Sequence, residues 1–76
     1  MLKATLRIYS YDTKNAFYIL ATHNTTILKT KNDYGERHVT ILVKGYDELN
    51  TIVAALNEKC LCGVEVMKVK KRRFNI

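Results

Sequence analysis

A chain of 76 residues is one domain's worth of sequence, and a domain of that size buries only roughly 60–65% of the surface its unfolded chain exposes, which excludes a large enclosed active site. Apolar residues make up 47%, proline is absent and there are only 3 glycines, a composition that excludes a linker or a disordered tail. The net charge of +6 is unevenly placed: Lys68, Lys70, Lys71, Arg72 and Arg73 carry most of the excess, so the body of the chain is nearly neutral and its basicity reads as a tail.

The chain opens with no signal peptide in Met1-Leu2-Lys3, and the cytosol is the expected compartment. Residues 3–9 alternate, with Ala4, Leu6 and Ile8 on one side and Thr5, Arg7 and Tyr9 on the other, the pattern of a half-buried strand. Asp12 then stands where a carboxylate caps a helix by accepting the N–H of Asn15, which makes residues 13–23 helical, with Asn24 as a left-handed stop. Residues 16–21 are also strand-formers, so a hairpin around residues 12–15 is the alternative. They form the longest apolar run, far short of the roughly 20 residues a bilayer span needs. A second strand is expected over 25–31, a tight turn over 32–35, and a third strand over 37–44 with Val39, Ile41 and Val43 inward. Asp47 caps a second helix in which Leu49, Ile52, Val53 and Leu56 form one apolar stripe. Cys60 and Cys62, one residue apart, cannot bridge each other without strain, and a last strand runs from Val64 to about Lys70.

Residues 4–24 are repeated at 39–59. Thr5, Tyr11, Asp12 and Asn15 recur as Thr40, Tyr46, Asp47 and Asn50, with matched apolar parity around them. Past a longer loop the copy continues, Ile27-Leu28-Lys29 matching Val66-Met67-Lys68. Two β-α-β halves so related define a ferredoxin-like split βαβ fold over residues 1–76: order β-α-β-β-α-β, a four-stranded antiparallel sheet in the order 4-1-3-2, and two helices on one face. A basic C-terminal tail of about residues 68–76 follows the last core residue.

The face left uncovered carries Thr5, Arg7, Tyr9, His38, Thr40, Leu42 and Lys44. In topology it resembles RNA-recognition-motif domains, whose first and third strands stack bases on aromatic side chains. Tyr9 is suitably placed, but of the third-strand aromatic pattern only His38 is present. The tail cations suit phosphates without fixed geometry, or serve only to blunt an edge strand. The resulting expectation is a non-enzymatic module that engages nucleic acid or a nucleoprotein through Arg7, Tyr9, His38, Thr40, Leu42, Lys44, Lys68, Lys70, Lys71, Arg72 and Arg73, with no cofactor and no membrane. The alternative is a self-associating regulatory module, similar to ACT-type domains, that forms a homodimer through the sheet.

Two further patterns carry less. Tyr11-Asp12 at the end of the first strand resembles the strand-end aspartate of the Cas2 and VapD nucleases, a likeness of two residues that implies a metal-dependent nuclease. Cys60, Cys62 and His38 fall at one end of the sheet and His23 at the other, so at most three zinc ligands converge, and no metal site is expected. A phosphate-cradling loop of the acylphosphatase kind is missing, because residues 10–15 contain no glycine, and no nucleophile can be set beside a histidine.

Overall fold

The computed structural model describes residues 1–71. Strand β1 (Leu2–Tyr9) passes through a short 3-10 turn at Ser10–Asp12 into α1 (Thr13–Thr22). Strands β2 (Thr26–Asp33) and β3 (Glu36–Val43) form a hairpin, and α2 (Tyr46–Lys59) leads to β4 (Val64–Lys71). The sheet order is β2-β3-β1-β4 with all neighbours antiparallel, the expected ferredoxin-like topology.

The core follows from the two periodicities. Alternation delivers Leu2, Ala4, Leu6 and Ile8 from β1, and Val39, Ile41 and Val43 from β3, to one side of the sheet. Helical spacing delivers Ala16, Ile19 and Leu20 from α1, and Leu49, Ile52 and Leu56 from α2, against them. Residues 16–21 are thus helical and the hairpin alternative falls away, because three of them bury together only at helical spacing. Helix α1 ends as read: Asn24 takes φ 54°, and the N–H groups of Asn24 and Thr25 donate to the carbonyls of Ala21 (3.0 Å) and Leu20 (2.9 Å), a left-handed stop that satisfies two terminal carbonyls.

The internal repeat is a pseudo-twofold axis. Thr5 and Thr40, equivalent in the repeat, are directly paired between β1 and β3, with their hydroxyls 3.2 Å apart. The outer strands obey the same axis: Lys68 pairs with Thr5 as Lys29 pairs with Thr40, and Val66 pairs with Leu6 as Ile27 pairs with Ile41. Each edge strand carries a β-bulge, at Leu28 in β2 and at Met67 in β4, and the repeat makes these positions equivalent as well.

Four expectations need correction. The β2–β3 turn is not residues 32–35 but Tyr34 and Gly35 alone, with φ of 42° and 82°, because Asp33 and Glu36 still pair. Residues 68–71 are not a tail; they lie in β4, where Lys68, Val69, Lys70 and Lys71 pair with Thr5, Ala4, Lys3 and Leu2. Arg72 and Arg73 lie outside the described residues.

The other two corrections concern the aspartates, neither of which caps its helix. Helix α2 starts two residues earlier than a cap at Asp47 requires, with Gly45 in the N-cap position. Asp12 is buried, and its carboxylate accepts the N–H of Leu61 (3.0 Å) and of Cys62 (2.8 Å) in the α2–β4 loop. Asp47, its equivalent, is exposed. The loop that Asp47 would face by symmetry, between α1 and β2, is the shorter of the two in the repeat, while the longer second loop reaches Asp12.

Candidate binding face of the sheet

Among the described residues, no helix covers the second face of the sheet. Parity puts Lys3, Thr5, Arg7 and Tyr9 there from β1, and Glu36, His38, Thr40 and Leu42 from β3. From the edges come Lys29 and Lys31 on β2, and Glu65, Lys68 and Lys70 on β4. Electrostatically this face has two halves.

In the half nearest the β2–β3 turn, Arg7 and His38 lie against carboxylates. The Arg7 guanidinium donates to Glu65 and lies 3.8 Å from Glu36, over the Tyr9 ring at 5.7 Å from its centre. Glu36 also sits 3.2 Å from the His38 ring. Arg7 and His38, expected as nucleic-acid contacts, are therefore already committed to carboxylates, and Tyr9 is partly covered by Arg7. Asp33, Glu36 and His38 each bring a donor atom within 4.8 Å of one another, but Glu36 is the same carboxylate that Arg7 and His38 hold.

The other half is cationic. Lys3, Lys29, Lys68, Lys70 and Lys71, with Thr5, Thr40 and Leu28, line a concavity of about 650 Å³. The ion pairs among the described residues all lie in the first half, so none of these lysines faces a carboxylate partner. Thr40, Lys68, Lys70 and Lys71 were expected on a binding surface and are brought together here. Leu42 is half-buried on the same face between β2 and β1, and Lys44 is exposed just past the end of β3. Lys3 and Lys29 were not singled out from sequence, although the parity of Thr5 points to the first and the match of Lys29 with Lys68 points to the second.

The strand-end aspartate offers nothing to a metal ion, since Asp12 is 1% exposed and both its oxygens accept backbone N–H groups. Cys60 is buried and Cys62 exposed, both as free thiols. Burial, then the Asp12 carboxylate, pushes the Cys60 thiol above its ordinary value, and desolvation and Asp12 act in the same direction on Cys62. Protonated thiols beside a carboxylate are poor ligands and poor nucleophiles. His38, which the sequence put at the same end, is on the sheet face with Glu36.

No family description matches the chain, and no curated protein matches it. Among solved structures it is similar to the crystal structure of the ACT domain from GTP pyrophosphokinase of Chlorobium tepidum. The two share 24% sequence identity over 90% of this chain and 94% of that chain, with a TM-score of 0.59. At that identity the likeness establishes the fold, and the fold is the ferredoxin-like one already described.

Proposed function

We propose that this chain is a non-catalytic, self-associating interaction module of the regulatory kind. The observation that carries this reading is strand β2. Seven of its eight residues are exposed, and none of them belongs to the buried core. Ile27, Thr30 and Asn32 have the parity of the helix-covered side, yet they lie bare as a shelf. The shelf is bounded by Arg37, which donates to Asn32 (2.9 Å) and stacks over Phe17 of α1. A strand held by one neighbour and by no core is weakly stabilised in a domain this small, and association is the common remedy. The likeness in fold to an ACT domain, a small regulatory module, supports the same reading. Nucleic-acid binding through Arg7 and His38 is less favoured, because both side chains already answer carboxylates.

The bulge at Leu28 with Lys29 and Lys31 blunts the β2 edge against open-ended strand addition. The contact is therefore assigned to the shelf, with a second copy of the chain as occupant. Sedimentation equilibrium tests it: the chain is expected to be a dimer, and Thr30→Arg a folded monomer, since an exposed threonine tolerates arginine unless a partner covers it. A monomeric parent chain, or a Thr30→Arg dimer of unchanged strength, would remove the proposal.

A further inference from the structure

We propose that the cationic half of the open sheet face binds a compact polyphosphate, held symmetrically about the Thr5/Thr40 pair. One row crosses all four strands as Lys29, Thr40, Thr5 and Lys68, and the pseudo-twofold axis passes through its centre. Only one hydroxyl hydrogen is used between the two threonines, so the other is free to donate to an anion. The flanking lysines stand three strand spacings apart, about 14 Å between backbones, and their long stems can close on a short anionic chain from both sides. Lys3 lies directly opposite Lys70, a like-charge pair that destabilises a sheet, with no carboxylate from the described residues to relieve it. An anion in the concavity relieves it. Among the described residues the lining contains no aromatic ring, and Tyr9 is in the other half, so these residues offer no stacking platform of the kind a single-stranded nucleic acid uses. A ligand with two equivalent phosphoryl ends matches the symmetry of that row. This inference does not rest on self-association, whose residues face the other side of β2.

The test is calorimetric titration of the full chain with inorganic triphosphate in about 0.15 M salt. Saturable binding of one triphosphate per chain is expected. Lys29→Gln with Lys68→Gln should weaken it about tenfold or more, the loss of charge-assisted contacts, while Lys14→Gln with Lys59→Gln, which removes the same net charge from the helices, should change it by less than about threefold. Lys3→Gln adds a second readout: the free protein should melt higher than the parent, and triphosphate should raise its melting temperature by less. Failure of the parent chain to bind, equal losses in the two double variants, or a lower melting temperature for free Lys3→Gln would each overturn the proposal. An oligothymidylate that binds through Lys29 and Lys68 while triphosphate does not would overturn it in favour of a nucleic-acid strand. Sedimentation of the Lys29→Gln, Lys68→Gln variant separates the two readings, since its self-association should be unaltered.

Discussion

Asp12 shows how one residue type at repeated positions acquires different work. Its carboxylate closes the α2–β4 loop through two backbone N–H groups, whereas Asp47 lies exposed in the first turn of α2. Asp12→Ala should therefore cost about 1–3 kcal/mol in urea unfolding, and Asp47→Ala less than about 1 kcal/mol. Equal costs would mean that both act as plain helix-terminal charges. The sequence could not separate them, because the distinction lies in the reach of a loop some 50 residues away. Tyr34 is a second case. Both turn residues need positive φ, and a tyrosine there is strained where Asn-Gly would be at ease. Tyr34→Asn should stabilise the hairpin by about 0.5–1 kcal/mol, seen as a higher denaturation midpoint. The thiols add a pH dependence: with folded values above the ordinary 9.0, they contribute stability that is complete below that pH and falls as the pH rises through the raised values. A Cys60→Ala, Cys62→Ala variant should lose less stability between neutral and alkaline pH than the parent, in parallel denaturation series.

At the scale of elements, the strands and helices were legible because each has a core-facing period, and their boundaries were less so. Helix α1 resembled a strand in composition, and its repeat partner α2 identified it, because the apolar stripe of α2 has only one reading. Leu56 in that stripe is fully buried, and Leu56→Ala should cost about 2–5 kcal/mol. The basic stretch was read both as strand end and as tail, because Lys68, Lys70 and Lys71 interrupt the hydrophobic signal; β1 supplies partners for β4 as far as Lys71, with only Met67 left out at the bulge. Strand β2 was legible as a strand but not as an uncovered one. Cover is decided by where the helices come to rest across the sheet, which no local pattern in residues 26–33 records. Likewise Glu36 and Glu65, which neutralise Arg7, fall beside it only through the register of β1 with two other strands.

For the whole molecule, the pseudo-twofold axis is the organising feature, and it is broken at the Asp12 loop, in the lengths of the helices (10 and 14 residues), in the unequal charging of the sheet face, and in the edge strands, of which β4 reaches the core and β2 does not. Apart from these, the two halves match down to the bulges at Leu28 and Met67. The central claim is that a second copy of the chain covers β2, and amide hydrogen exchange at low and high protein concentration tests it most directly. A strand held at one edge, with no core beneath it, should exchange readily when the chain is dilute. The account predicts that protection of residues 26–33 rises with concentration, while that of β1 and β3 stays constant, and that Thr30→Arg abolishes the rise. Protection of β2 that is independent of concentration would contradict it.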